Sequence, residues 1–171
     1  MKRFSVFFAA AFLAAAVLPA QADTTGLTLK AGGVMQANSD AQGYGSSYFS
    51  LGAAYDLNHA TALTPFNVAI YGDKLGKSLG FGFSARSATP VYIGAGAGVY
   101  PVSIVRNYGG PASAFPGGGP QPATTANGVG GKIFAGTTFA KVVILEAGYH
   151  IMPQVGGTNT NAITAQLGVP F

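Results

Sequence analysis

The chain has 171 residues, of which 49% are hydrophobic and only 8% are charged, and it has no cysteine. This length fits one domain, and the lack of cysteine excludes disulfides and thiolate metal sites. An ordinary soluble domain carries about 25% charged residues, so this composition does not provide a water-facing exterior. The formal net charge is +4, but the cations are spread along the chain without a basic cluster, so nucleic acid is not an expected partner.

The N-terminus has the pattern of a secretory leader. The pair Lys2-Arg3 precedes an apolar run from Phe4 to Leu18, and Ala20-Gln21-Ala22 follows as a small-x-small cleavage site. A membrane anchor is the alternative, but the run is shorter than the roughly 20 residues that span a bilayer. We therefore predict a cleaved signal peptide over residues 1–22, with Asp23 as the first mature residue, and export through the inner membrane.

The mature chain, 23–171, is predicted to form one all-β domain. No segment of it approaches 18 continuous apolar residues, and a closed barrel is the remaining structure that satisfies every backbone group in lipid. Alternation of apolar with polar or small residues is clean in five segments, short in the first, less regular in the sixth and weakest in the third, where Pro65 falls early. The predicted strands are 27–32, 49–56, about 63–71, 79–86, 91–100, about 129–139, 143–151 and 163–171.

The connections between these strands predict an up-and-down order. Longer polar or glycine-rich segments alternate with tight ones, and most of the longer segments fall on one side of the barrel. Bacterial barrels have short periplasmic turns and longer outer loops, and an even strand count puts both termini in the periplasm. The expected connections are 36–46, 57–60, 72–77, 87–90, a flexible Pro/Gly-rich extracellular loop at about 101–128, 140–141 and 153–161.

The charged residues of the strands all share the parity opposite to the apolar face. A cation on the lipid face costs about 2–4 kcal/mol near the midplane, so this parity is expected to face the lumen. Two interpretations are open: a salt-bridge gate or ion path, and a plug of paired side chains in a lumen just wide enough to be filled, which we favour. The predicted lumen charge network is Lys30, Asp56, Arg86, Lys132 and Glu146, all but Lys132 toward the periplasmic half.

Aromatic residues at strand ends are expected to form interfacial girdles, although a soluble sandwich would bury such residues instead. The predicted girdle residues are Phe49, Tyr55, Phe139, Tyr149 and Phe171.

The sequence predicts no catalytic, cofactor-binding or metal site. His150 falls near the outer rim with Glu146 deeper on the same face, but no nucleophile follows at a fitting spacing, so a polar histidine at the lumen mouth is favoured. His59 falls in a periplasmic turn. The glycines at 94, 96 and 98 and at 117–119 lack the context of a nucleotide site, and those on strands are expected to make room for large neighbours or for sharp curvature.

The last segment carries the most specific resemblance. Ile163, Ala165, Leu167, Val169 and Phe171 form one apolar face that ends on an aromatic residue, and Tyr92 to Gly98 form a glycine-spaced strand. From Leu27 to Phe171 the chain resembles the small eight-stranded bacterial outer-membrane β-barrels, the group that contains outer membrane protein X and the barrel part of outer membrane protein A. The resemblance implies that the final segment is the barrel-assembly signal. It also implies periplasmic chaperones, the barrel-assembly machinery and outer-membrane lipid as partners.

These observations predict a non-enzymatic integral outer-membrane protein of a Gram-negative-type envelope, with a structural or surface-interaction role and a filled lumen. The sequence leaves open an extracellular partner that binds the loops. The alternative is a narrow, porin-like pore for ions or small solutes. A lipid-modifying barrel enzyme and a soluble lipocalin-like carrier are less favoured, and the carrier requires the reverse placement of polar and apolar faces.

Overall fold

The computed structural model describes residues 26–38, 47–58, 65–104, 124–140 and 142–171. The predicted signal peptide, His59 and the glycines at 117–119 lie outside these ranges. No helix in the described ranges is long and apolar enough to cross a membrane.

Eight strands make up the described part of the chain, and each is antiparallel to the next. They are β1 (Leu27–Gln36), β2 (Ser47–Asp56), β3 (Phe66–Leu75), β4 (Ser78–Ser87), β5 (Val91–Ile104), β6 (Thr124–Phe139), β7 (Val143–Ile151) and β8 (Ala162–Pro170). β8 pairs with β1 along its whole length, which closes the sheet into a barrel in sequence order. The predicted eight-stranded antiparallel up-and-down barrel is confirmed.

The barrel has two unlike ends. At the terminal end, where β1 begins and β8 finishes, the backbone N–H of Phe171 donates to the carbonyl of Leu27 at 2.7 Å. At the opposite end, which we call the loop end, the ladder between β5 and β6 extends to the pair Ile104 and Thr124. The segment 105–123 that joins these two strands is outside the described residues.

The strands β1, β5 and β6 are each four or five residues longer than the sequence predicts. β1 continues to Gln36 because Val34 keeps the inward parity and is only 1% exposed. β5 and β6 take up residues 101–104 and 124–128, which were predicted to be loop, because their backbone groups continue the ladder. At the loop end, β5 and β6 therefore extend beyond the ends of the neighbouring strands β4 and β7.

The largest error concerns β3. This strand begins at Phe66, directly after Pro65, and runs to Leu75, so the predicted loop 72–77 is wrong and only Gly76-Lys77 turn the chain. Gly76 has a φ of +61°, which suits the first central position of a two-residue hairpin turn. The connection between β2 and β3 is correspondingly longer than predicted and covers residues 57–65.

The two faces of the sheet have opposite chemistry. Outward-facing side chains are large, apolar and exposed: Val129 is 81% exposed and both Val91 and Ile93 are 71% exposed. Inward-facing positions hold the buried polar and charged residues together with a few aromatic rings. This is the reverse of a water-soluble barrel, in which the apolar side chains fill the interior.

Candidate functional site: the charged interior of the barrel

Within the described ranges, three ion pairs lie inside the barrel. The Nζ of Lys30 lies 2.6 Å from Oε1 of Glu146, and the Nζ of Lys132 lies 2.8 Å from Oδ2 of Asp73. The third pair joins Nη2 of Arg86 to Oδ2 of Asp56 at 2.7 Å.

Burial separates these pairs into two kinds. The side chains of the Lys30 and Lys132 pairs are at most 6% exposed, whereas those of Arg86 and Asp56 are 20% and 15% exposed. The first two pairs are enclosed in protein, and the third stands at the terminal end, where β2 and β4 meet that edge of the barrel. An uncompensated charge in the enclosed region would destabilise the fold strongly, so the loss of either partner alone should lower the stability of the barrel.

Each pair joins strands that are not neighbours. β8 lies between the strands of Lys30 and Glu146, and β3 lies between those of Asp56 and Arg86. The Lys132 pair bridges β6 and β3, across β4 and β5. The first two pairs therefore each span one strand on the inner wall, and the Lys132 pair reaches across the lumen.

Aromatic rings connect the pairs into one array. The hydroxyl of Tyr92 donates to Oε2 of Glu146 at 2.9 Å, and the guanidinium carbon of Arg86 lies 5.2 Å from the centre of the Tyr92 ring. The Nζ of Lys30 lies 5.7 Å from the ring centre of Phe134, within cation–π range. The carboxylate of Glu146 thus has a partner for each oxygen, and Tyr92 links it to the pair at the terminal end.

Lys132 is held from two further sides. Its Nζ lies 3.7 Å from the centre of the Tyr71 ring and 5.2 Å from that of Phe134. A desolvated ammonium over an aromatic face gains about 2 kcal/mol. Tyr71 in turn shares a 2.9 Å hydrogen bond with the hydroxyl of Tyr100.

Toward the loop end the array meets an apolar cluster. Tyr71 and Tyr100 belong to it, together with side chains that are all at most 5% exposed. The other members are Val34, Leu75, Val102, Met152, Val155 and Ala162.

The segment between β7 and β8 completes this cluster on its loop-end side. It turns inward, so that Met152 and Val155 are buried, and Val155 pairs with Thr158 in a small reverse turn. Asn161 holds the segment in place, since its Oδ1 accepts from the backbone N–H of Met152 and its Nδ2 donates to the hydroxyl of Tyr149, both at 3.0 Å. The described part of the lumen is therefore filled at this end by side chains of the protein itself.

Glycines on the inner wall make room for this filling. An added Cβ at Gly80 would lie 2.4 Å from a ring carbon of Tyr100, and one at Gly94 would lie 2.3 Å from a ring carbon of Phe134. An added Cβ at Gly136 would lie 2.4 Å from the hydroxyl oxygen of Tyr92. These three glycines thus accommodate large inward side chains.

His150 lies inside the barrel and is 3% exposed. Its Nε2 is 3.3 Å from the hydroxyl of Thr164 and its ring packs edge-on against Tyr100, with centroids 6.3 Å apart. The hydrogen bonds and ion pair of the Glu146 carboxylate go to Lys30 and Tyr92. Across the described residues no group of three His, Cys, Asp or Glu side chains is placed to hold a metal ion.

Asp73 is an interior charge that is absent from the predicted network. The predicted loop 72–77 contains it, because Gly72 and Lys74 flank it, yet Asp73 continues the inward parity of Ala69 and Tyr71. This inward parity is the sequence feature from which the buried position of Asp73 can be predicted.

The residues of the predicted assembly signal lie on the outward face of β8. Ile163, Ala165 and Phe171 are exposed, and Leu167 and Val169 are half-buried. Of the predicted girdle residues, Phe49, Tyr55, Phe139 and Phe171 are exposed, while Tyr149 is half-buried beside Asn161.

The fold and the site together define a class of protein: a closed eight-stranded antiparallel barrel with an apolar exterior and a charge-paired interior. No protein-family model matches the chain. No curated protein matches it either.

Several solved structures are similar to this chain. Neisserial surface protein A is 19% identical, with a TM-score of 0.47 over 86% of this chain and 99% of that one. The outer membrane protein Ail of Yersinia pestis, solved in a phospholipid bilayer nanodisc, is 11% identical, with a TM-score of 0.48 over 85% and 98% of the two chains. A crystal structure of Ail with the heparin analogue sucrose octasulfate gives 10% identity and a TM-score of 0.45 over 85% and 96%. The resemblance to small outer-membrane barrels is confirmed for the fold, on the closed barrel that this chain itself forms.

Proposed function

We propose that this protein is an integral β-barrel of a bacterial outer membrane, with a non-enzymatic structural or surface-interaction role and a lumen sealed by its own side chains. The single observation that carries the proposal is the inverted polarity of the sheet. Phe83 is 61% exposed on the outer face, whereas Asp73 and Lys132 are 2% and 4% exposed inside. In water this arrangement exposes apolar surface around the whole circumference, and in lipid the same surface is solvated.

The height of the apolar face supports a membrane span. On β5 the outward positions from Val91 to Val99 are apolar, and on β3 the apolar outward positions start at Phe66 and end below Lys74. Eight residues at about 3.3 Å each, tilted by about 40°, give an apolar band roughly 20 Å tall, close to the 25 Å of outer-membrane barrels. Phe66 at one edge and Phe81 near the other provide aromatic residues for the interfaces.

Delivery to that membrane follows from two segments of the sequence. Residues 1–22 serve as the cleaved signal peptide, and the outward face of β8 that ends on Phe171 serves as the signal for periplasmic chaperones and the barrel-assembly machinery. In this orientation the terminal end faces the periplasm and the loop end faces outward, where the loops are available to an extracellular partner.

The filled interior favours a structural role over a pore. Eight-stranded barrels have interiors that side chains just fill. Here Tyr71, Tyr100 and Val155 lie across the path between the ion pairs and the loop end. The buried position of His150 keeps it from an outer-leaflet substrate, which favours a non-enzymatic protein.

The first experiment is membrane fractionation of cells that express the full chain. We expect the protein in the outer-membrane fraction, shortened by residues 1–22, with a gel mobility that changes on boiling because the barrel stays folded in cold detergent. Recovery in the soluble periplasm would refute the membrane assignment.

The second experiment separates a sealed barrel from a narrow pore. We expect the wild-type protein in a planar bilayer to carry no sustained ionic current. The double variant Tyr71→Ala/Tyr100→Ala, which removes the two tyrosine rings of the buried apolar cluster, should carry one. A steady ionic current through the wild-type protein would refute the sealed lumen and support the narrow pore.

A further inference from the structure

The β3–β4 hairpin carries two lysines on the outside of the barrel at the loop end. Lys74 occupies an outward position of β3, two residues beyond Gly72 on the same face, and Lys77 lies in the turn itself. Both side chains are exposed. They differ from Lys30 and Lys132, which are enclosed and paired in the lumen.

Neither lysine has an acidic partner within the described residues. The acids in those ranges are Asp56, Asp73 and Glu146, and each of them is paired with a cation inside the barrel. Among the residues that the structure describes, the hairpin therefore presents two positive charges without an acidic partner at one point of the outer rim.

The surroundings of Lys74 are apolar. Its partners across the ladder are Leu51 on β2 and Leu79 on β4, which are 47% and 36% exposed on the same outward face. Phe49 and Phe81, each two residues from one of these leucines on that face, are 48% and 54% exposed. A lysine in such a setting keeps its stem on the apolar surface and extends its ammonium toward the polar edge of the membrane.

We infer that Lys74 and Lys77 bind the phosphate groups of a phosphorylated glycolipid in the leaflet that meets the loop end. This inference rests on the proposed membrane location. An amphipathic lipid fits the site because its acyl chains pack on Leu51, Leu79 and Phe81 while its phosphates meet the two ammonium groups. A soluble anion would gain no binding energy from the apolar neighbours.

The hairpin is suited to hold the two cations at a constant height. The backbone N–H of Gly76 donates to the carbonyl of Phe49 at 3.1 Å, which fastens the turn to β2. The ring of Tyr48 covers the turn, so that an added Cβ at Gly76 would lie 2.7 Å from it. A fixed hairpin loses little conformational entropy when a headgroup binds.

The test is native mass spectrometry of the full-length mature barrel in neutral detergent, titrated with diphosphoryl lipid A. A basic residue near an anionic lipid surface contributes enough for about a fivefold change in affinity, so Lys74→Gln/Lys77→Gln should bind about thirtyfold more weakly. Lys74→Arg/Lys77→Arg should keep the affinity. Lys141→Gln removes one positive charge from the sequence between β6 and β7, and it should bind like the wild type.

Two further probes identify the ligand. Lipid A stripped of both phosphates should bind weakly to every variant and show no difference between them. Inorganic phosphate at the same concentration should not compete, and full competition would overturn the lipid as the occupant. Equal affinity of the wild type and the double glutamine variant for diphosphoryl lipid A would overturn the site itself. If the barrel shows the heat-dependent gel shift and the outer-membrane location but binds diphosphoryl lipid A equally with and without the two lysines, only the lipid site is refuted. If the protein is soluble, the proposed function is refuted.

Discussion

The buried pair between Lys132 and Asp73 allows a sharp test of how the interior stabilises the barrel. The two charged atoms are 2.8 Å apart, and at an effective dielectric constant of about 20 their attraction is about 6 kcal/mol, most of which offsets the loss of hydration. Removing one partner leaves the other charge buried and uncompensated, which destabilises proteins by about 3–5 kcal/mol. We expect Asp73→Asn near the lower value, because Lys132 keeps its contact with the Tyr71 ring at 3.7 Å. Lys132→Met should fall near the upper value, since the Asp73 carboxylate then has no cation.

The double variant Asp73→Asn/Lys132→Met separates pairing from packing. It removes both charges with little change of shape, so we expect it to be more stable than either single variant. The assay is urea unfolding of the barrel in vesicles of fixed composition, followed by far-ultraviolet circular dichroism and by the gel shift of unboiled samples. Asp56→Asn is the matched control, since its pair with Arg86 is 15–20% exposed and should cost only about 1 kcal/mol. A double variant whose loss equals the sum of the two single losses would refute the coupling.

Two further predictions concern the inner wall and the outer face. Gly80→Ala places a Cβ 2.4 Å from the Tyr100 ring and should lower the free energy of unfolding by about 1–3 kcal/mol, measured by the same urea assay. Gly72→Ala, on the outward side of the wall, is its control and should cost less; equal losses would contradict the role assigned to inner-wall glycines. Ala95→Arg, in the middle of the outward face of β5, should cost about 2–4 kcal/mol in vesicles, whereas Asn127→Arg, near the loop end, should cost about 0–1 kcal/mol. The same loss at both positions would contradict a lipid-facing band.

The sequence was sufficient for the architecture because a membrane barrel strand has a strict two-residue period. β7 was predicted with its observed bounds, and β8 differs by one residue at each end. Prediction failed where composition and period disagreed: Gly72, Asp73 and Lys74 resemble a loop, yet they continue the alternation of β3 and contribute a buried anion. The ladder between β5 and β6 was likewise underestimated, since proline and glycine at its edge resemble turn residues.

The amino-acid order alone determined which positions face inward, and therefore the side of the sheet to which Lys30, Arg86 and Glu146 belong. The tertiary structure decided which charges meet. Each ion pair joins strands that are not adjacent, so the choice of partner depends on the stagger of the closed barrel, and local periodicity does not encode that stagger. The inward fold of the segment that carries Met152 and Val155 was decided in the same way, because the apolar space it fills exists only after the barrel has closed.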